Sequence, residues 1–292
     1  MGEKMKSTTR VRELIQRKEI LLAPGAFDAM SARLIEFVGF EAVYMTGFGT
    51  AASIFGVPDI GLLTMTEMVE NAKRISDAVK IPVIADADTG YGNHLNVVRT
   101  VEEYEKAGIA AIHIEDQIFP KRCGHMEGHK LISLEDMVAK VRAAAASKKD
   151  KDFVLIIRTD AISAEGFDEA IYRGNAYLEE GADVIFIEAP TTVKQLEKIP
   201  KLIKGPLLIN IAPKTPLLHF KRYEEMGYSI AIYPAISLTA AFVAIREKLI
   251  ELKREGIMIE GAHAGVPFDE LLKFLGLKKY RDLEEKFLGT VQ

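Results

Sequence analysis

Short apolar runs alternate with longer amphipathic ones along most of this chain. The runs ILLAP (20–24), AVYMT (42–46), PVIADAD (82–88), AAIHIE (110–115), FVLIIRT (153–159), DVIFIE (183–188), PLLIN (206–210) and SIAIY (229–233) are brief and nearly continuously apolar. That pattern predicts parallel strands covered on both faces. Between them, apolar positions recur at helical spacing over 28–37, 66–79, 95–107, 134–147, 167–180, 192–199, 217–226 and 237–255. Gly39, Gly108, Gly181 and Gly227 stand just after four of these stretches, where a left-handed C-cap calls for glycine.

Eight strand–helix units in strict alternation predict a (β/α)₈ TIM barrel, with residues 1–255 as one catalytic domain. An open doubly wound sheet would show a Gly-rich fingerprint after its first strand, and none follows 20–24. Past residue 255, EGIMIEGAHAGVP (255–267) reads as a loop, and amphipathic segments follow at 268–275 and 278–288. This C-terminal helical extension, 256–292, has no strand to accompany it. It is expected to pack on its own barrel or on a neighbouring subunit.

Composition narrows the class without naming it. A single Cys among 292 residues cannot form an intrachain disulfide, which excludes disulfide-built secreted scaffolds. With 38 basic and 42 acidic residues the net charge is −4, which argues against nucleic acid as a partner. No apolar stretch approaches the roughly 20 residues of a membrane span, and MGEKMKSTTR lacks the apolar region of a signal peptide. The expectation is a soluble cytoplasmic protein with no membrane partner.

Barrel enzymes build their sites at the carboxyl ends of the strands, so the last residues of each apolar run are the informative ones. Strand alternation places Tyr44 with Thr46, Asp86 with Asp88, His113 with Glu115, Phe186 with Glu188, and Leu208 with Asn210 on common faces. Arg158 closes the fifth run. A single such residue is ordinarily a helix cap or loop charge. Acidic groups from three strands converging with an arginine are not, because buried charges are costly unless paired or metal-bound. Asp86, Asp88, Glu115 and Glu188 are hard oxygen donors that suit Mg²⁺, with Mn²⁺ possible on the same chemistry.

The loop after the fourth run, KRCGHMEGHK (121–130), holds the one cysteine. A lone Cys is ordinarily a small buried hydrophobe. Cys123 instead sits in a polar, Gly-containing loop beside Lys121, Arg122 and His125, which would favour the thiolate and a role in acid–base or nucleophilic chemistry. Spacing within a glycine-interrupted loop makes a metal role for His125 and His129 less suitable. Lys121 is a candidate to neutralise an anionic substrate. TGFGT (46–50) reads as a Gly-rich turn able to offer backbone N–H groups to an anion. Asp59 is either part of a gating loop or a turn terminator. His94 reads as a helix start, and His219 and His263 as surface residues.

These segments together resemble the isocitrate lyase/phosphoenolpyruvate mutase superfamily along nearly the whole chain: PGAFDAMSARLIEFVGFEAVYMTGFGTAAS, PDIGLLTMTEM, DADTGYGN, HIEDQIFPKRCGH, IIRTDA, EGFDEAI, GADVIFIEAP, PLLIN and YP at 233–234. KRCGH, with Cys123, Gly124 and His125, is similar to the Cys-containing loop of the carbon–carbon lyases, which the phosphonomutase and phosphonopyruvate hydrolase branches lack. Phe186 resembles the residue of the methylisocitrate lyases, where isocitrate lyases carry Trp. The resemblance implies a (β/α)₈ barrel whose last helix is exchanged between subunits of a homotetramer, a dimer of dimers. It implies Mg²⁺ near Asp88, with Asp86 and Glu115 acting largely through metal-bound water. It also implies that Tyr44, Thr46, Gly47, Asp59, Arg158, Glu188 and Asn210 contact a di- or tricarboxylate substrate, and that Cys123 is the catalytic cysteine.

The expected reaction is cleavage of a 2-methylisocitrate- or 2,3-dimethylmalate-type hydroxy acid to pyruvate and a second acid. Arg158, Asn210 and a protonated Glu188 would hold the charge on the departing carboxylate, Cys123 would protonate the carbanion, and Tyr44 or a metal-bound hydroxide would take the hydroxyl proton. After Asn210 the chain reads IAPKTP, shorter than is common in such relatives. The shortening points to a smaller substrate, such as a 2,3-dialkylmalate or an oxaloacetate-like acid. The alternatives are an oxaloacetate decarboxylase or hydrolase, a phosphonomutase-type enzyme, and a non-catalytic keto-acid-binding protein.

Overall fold

The computed structural model describes residues 5–126, 128–258, 260 and 265–288; His263 lies outside them. Eight parallel strands close a barrel in sequence order: β1 (Leu21–Ala26), β2 (Val43–Met45), β3 (Val83–Asp86), β4 (Ala111–Glu115), β5 (Val154–Thr159), β6 (Val184–Ile187), β7 (Leu207–Asn210) and β8 (Ile230–Tyr233). Leu21 to Pro24 pair with Ile230 to Tyr233 and close the ring. Each strand lies within the apolar run that predicts it, except that β1 continues two residues past its run.

Thirteen helices accompany them among the described residues: α1 (Ser7–Gln16), α2 (Ala29–Val38), α3 (Gly47–Phe55), α4 (Met65–Ala78), α5 (His94–Lys106), α6 (Leu134–Ser147), α7 (Ala161–Ala164), α8 (Phe167–Glu179), α9 (Val193–Leu202), α10 (Phe220–Met226), α11 (Ile236–Glu255), α12 (Phe268–Leu275) and α13 (Leu277–Leu288). Gly39 and Gly227 are left-handed C-caps, as expected. His94 opens α5, and His219 is the N-cap of α10.

Strand alternation sorts the core into two layers. Outward residues such as Val43, Val83, Leu155 and Ile185 pack with the helices, whereas Leu21, Ile84, Ile156, Phe186 and Ile230 fill the barrel interior. The interior cluster also takes in Val11, Leu14 and Ile15 of α1 with the strand-start residues Ala110, Ala111 and Val154. The first helix therefore closes the amino-terminal end of the barrel. Its apolar spacing of three and four residues is visible in the sequence, but α1 was not among the expected helices. Closing one end leaves the carboxyl end to hold the polar groups.

The segment read as a Gly-rich turn is helix α3, capped by Thr46, whose Oγ1 accepts from the Gly49 amide. Glycine is normally poor inside a helix. Here it is required, because a Cβ on Gly47 would run into the Asp86 carboxylate and one on Gly49 would stand 2.6 Å from Thr46 Cγ2.

The chain divides into two compact units, Met1–Leu238 and Thr239–Gln292. The first holds the barrel and α1 to α10. The second holds nearly all of α11, with α12 and α13; none of the described residues in these three helices is buried. Residue 255, the expected boundary, is the end of α11, so the division falls earlier, inside that helix. No helix among the described residues is long and apolar enough to cross a membrane.

The β1–β8 seam supplies a stability test. A Cβ on Gly25 would lie 2.7 Å from Pro234 Cα and 2.6 Å from its carbonyl carbon, and backbone cannot yield as a side chain can. Gly25→Ala should lose about 2–3 kcal/mol in urea unfolding, with a midpoint well below that of the parent.

Candidate active site

The carboxyl ends of six strands converge on one buried polar cluster. Tyr44, Asp86, Glu115, Arg158, Glu188 and Asn210 are all buried, as are Thr46, Asp59, Asp88 and Lys121 from the adjoining loops. Strand register aligns neighbours directly: Asp86 opposite His113, Glu115 opposite Arg158, and Arg158 opposite Phe186.

Arg158 is the hub of one half. Asp160 grips its guanidinium in two hydrogen bonds, from Nε at 2.9 Å and Nη2 at 2.8 Å. Its Nη1 stands 3.3 Å from both Glu115 and Glu188, and the guanidinium lies over the Phe186 ring at 5.2 Å. Phe186 is wholly buried and meets His113 edge-on, so it supports both groups. Burial alone would raise Glu188, but Arg158, His125 and the Asn210 amide outweigh it and hold the carboxyl at about 2. In these surroundings, with no substrate carboxylate beside Arg158, Glu188 is a carboxylate.

Lys121 is the hub of the other half. Its ammonium stands 2.5 Å from Asp59 and 2.7 Å from Asp88; expected to meet an anionic substrate, it meets two carboxylates of the protein. Burial, with Asp86 and Asp59 adding their charge, pushes Asp88 up to about 7 against the pull of Lys121. Asp88 also has a left-handed backbone, φ 47°, a costly conformation for a non-glycine residue. Its amide donates to Asp86 Oδ1 at 2.9 Å and its carbonyl accepts from the Glu115 amide at 2.9 Å.

Asp86 also accepts from the Gly47 amide at 3.2 Å, so the glycine segment does offer its N–H to a carboxylate, one belonging to the protein. Tyr44 Oη meets His113 Nε2 at 2.8 Å, the rings stacking at 5.7 Å. Burial and then Asp86 push the phenol well above its ordinary value. In these surroundings Tyr44 stands as a neutral hydrogen-bonding group.

The cysteine segment lies against the arginine half. Cys123 N donates to Asp59 O at 3.1 Å, and Gln117 brackets Arg122 by accepting from its amide at 3.0 Å and donating to its carbonyl at 2.8 Å. Gly124 is buried; a Cβ there would come within 2.5 Å of Glu188 Cγ and 2.8 Å of Asp160 Oδ1. His125 Nδ1 accepts from the Lys214 amide at 3.2 Å, which leaves Nε2–H to meet Glu188 Oε1 at 3.2 Å. Burial pushes the Cys123 thiol up. The expected thiolate is opposed by this burial, and of the basic residues beside it in sequence Lys121 meets Asp59 and Asp88 and His125 meets Glu188.

Both Glu115 oxygens are buried and accept no hydrogen bond from the described residues, and burial drives this carboxyl well above its ordinary value. Among the described residues no three His, Cys, Asp or Glu side chains gather as a complete metal-ligand set. Mg²⁺ takes few direct carboxylates and keeps its waters, so unsatisfied oxygens on Glu115 with Asp86 and Asp88 nearby fit such an ion.

A closed (β/α)₈ barrel with a buried acidic mouth and a cysteine-bearing segment against it places the chain among barrel proteins with the site at the carboxyl ends of the strands. The family model described as phosphoenolpyruvate phosphomutase matches residues 11–253, and the chain belongs to the phosphoenolpyruvate mutase/isocitrate lyase superfamily. It is 47% identical to 2,3-dimethylmalate lyase of Eubacterium barkeri, covering 97% of this chain and 99% of that one. It is 40% identical to 2-methylisocitrate lyase of Aeropyrum pernix, covering 94% and 89%. Among solved structures, oxaloacetate acetylhydrolase bound to 3,3-difluorooxalacetate superposes with a TM-score of 0.93 at 36% identity, over all of both chains.

Three further residues shape the site without having been assigned roles from sequence. His113 was placed facing inward by alternation alone. Asp160, which grips Arg158, follows it in the RTD motif. Asp116, fully buried, accepts from Thr159 Oγ1 at 2.7 Å, Tyr177 Oη at 2.9 Å and the Asp160 amide at 3.0 Å. Alternation points Asp116 away from the barrel interior, and nothing in sequence shows that it anchors the end of β5.

A carboxyl depressed in the folded state stabilises above its unfolded value near 4.5 and loses that contribution as pH falls toward 2. Parent and Glu188→Gln should therefore differ most above pH 4.5, on the order of 3 kcal/mol. The gap should close as pH approaches 2, measured by urea unfolding across the acid range.

Proposed function

We propose that this chain is a carbon–carbon lyase that cleaves a 2-hydroxy dicarboxylate of the 2,3-dimethylmalate type to pyruvate and a second carboxylic acid, with Mg²⁺ or Mn²⁺ as cofactor. The observation that carries the reading is the placement of Cys123: the chain's one thiol adjoins Gly124, which packs on Arg158, Glu188 and Asp160. The likeness to 2,3-dimethylmalate lyase along both full lengths supports the substrate class. The short segment at 211–216 favours a dicarboxylate over the tricarboxylate of a 2-methylisocitrate lyase.

The substrate hydroxyl gives its proton to water, the adjacent C–C bond breaks, and the hydroxyl-bearing carbon becomes the carbonyl of pyruvate. The electron pair moves onto the neighbouring carbon and its carboxylate. Arg158 and Asn210 stabilise that charge as preorganised donors. A carboxylate arriving beside Arg158 also raises Glu188 toward its protonated form, as like charge does. Cys123, kept as the thiol by burial, delivers its proton to the carbanion carbon. A divalent cation held at Asp88, with Asp86 and Glu115, would supply acidification of the hydroxyl and chelation of the pyruvate half.

The same reading includes a homotetramer, a dimer of dimers with the last barrel helix exchanged. Supporting it, α11 presents Phe242, Ile245, Leu249 and Ile250, all exposed, at helical spacing. A second reading, hydrolysis of oxaloacetate, is favoured by the superposition on oxaloacetate acetylhydrolase; it needs the same acidic cluster without Cys123.

The test is a panel of hydroxy and keto acids with Mg²⁺, following pyruvate by coupled reduction. 2,3-Dimethylmalate should release pyruvate, Cys123→Ser should lower kcat by roughly a hundredfold or more, and Asp88→Ala should abolish turnover. Equal rates for Cys123→Ser and parent would remove the thiol from the mechanism. Loss of oxaloacetate that survives Cys123→Ser but not Asp88→Ala would establish the hydrolase instead.

A further inference from the structure

Outside the reacting groups, His129 joins His125 in tying the cysteine segment to the arginine end of the barrel, and it does so through the backbone of Cys123 itself. Its Nε2 lies 3.0 Å from the Cys123 carbonyl oxygen, and its Nδ1 lies 3.1 Å from Ser163 Oγ in α7. A carbonyl only accepts, so Nε2 carries the proton. Ser163 has one hydroxyl proton, which it gives either to His129 Nδ1 or to the carbonyl of Asp160 at 3.1 Å, the residue whose side chain grips Arg158. One imidazole thus reaches from the peptide of the acid-bearing residue to the α7 serine that adjoins the peptide of the residue orienting the guanidinium.

The other restraints on Cys123 act differently. Its amide is held by Asp59, on the lysine side of the site, and the Met126 amide donates to its carbonyl at 2.8 Å from within the same segment. His129 is the contact that reaches from the Cys123 carbonyl to α7. Losing it would leave the backbone at Cys123 tied to the lysine half and to its own turn.

We propose that His129 is a positioning residue: through the Cys123 carbonyl and Ser163 it fixes the thiol relative to Arg158, so that proton delivery and carboxylate binding occur in one geometry. Its effect on turnover rests on the lyase reading above; its effect on the thiol does not. The position of a proton donor to within about an ångström governs the chemical step more than substrate affinity.

The chain's single cysteine makes the test unambiguous, since alkylation by iodoacetamide reports on Cys123 alone. His129→Ala should speed alkylation roughly two- to tenfold, the range expected when one hydrogen bond is lost from a local opening equilibrium. Its thermal midpoint should stay within about 2 °C of the parent. His129→Gln, which keeps a donor near the Nε2 position, should return the rate toward that of the parent, and Ser163→Ala should show a smaller acceleration. With a substrate that releases pyruvate, kcat should fall in His129→Ala while KM changes little. Unchanged alkylation in both His129→Ala and Ser163→Ala would overturn the proposal. So would acceleration found only with a comparable drop in thermal midpoint, which assigns His129 to general stability. If no acid on the panel yields pyruvate yet the alkylation series behaves as described, the positioning role stands and the lyase reading falls.

Discussion

The site depends on keeping several charges out of water at the mouth of a closed barrel. Asp59, Asp86, Asp88, Glu115, Asp160 and Glu188 are all buried there, and the cations facing them are Lys121 and Arg158. Removing an ion from water costs several kcal/mol unless a partner restores the loss. The two cations are each shared: Arg158 among three carboxylates and Lys121 between two. Burial, with neighbouring carboxylates adding to it, displaces Asp88 and Glu115 upward, and a divalent cation at these oxygens would favour their charged forms.

That arrangement is possible because the barrel divides its labour along its axis. The amino-terminal end and centre are filled by Leu21, Ile84, Ile156, Phe186 and Ile230 and closed by α1. The apolar layer fixes strand register, and register sets Glu115 beside Arg158. Glycines then admit close approach where a side chain would break the cluster: Gly47 against Asp86, and Gly124 against Glu188 and Asp160. The strained backbone at Asp88 is held by hydrogen bonds on both sides of its peptide, a local cost offset by rigid surroundings.

Protonation follows enclosure more than sequence neighbourhood. Cys123 is flanked in the chain by basic residues, yet burial raises its thiol, and the neighbouring Lys121 ammonium is turned to Asp59 and Asp88. Glu188 is as buried as Glu115, but Arg158, His125 and Asn210 surround it and hold it ionised, whereas Glu115 accepts no hydrogen bond from the described residues. Two glutamates of one rim thus take opposite states through their partners, which separates a group that tunes Arg158 from one suited to a cation.

Hydrophobic periodicity by itself determined the eight strands, their order and most of the barrel helices, because a parallel strand covered on both faces must be apolar nearly throughout. Alternation within each run was enough to place Asp86, Glu115, Glu188 and Asn210 on the inner face, and the KRCGH loop marked the cysteine. Helix α3 was hidden by its glycines, of which Gly47 is required by the distant Asp86 carboxylate. Asp116 and His129 were hidden because their partners, Tyr177 and Ser163, lie far along the chain. Tertiary structure alone decided the pairing of Lys121 with Asp59 and Asp88, the ionised Glu188 and the protonated thiol. Periodicity records which side of an element meets the core, but a charge state depends on distances to groups that only closure of the barrel brings together.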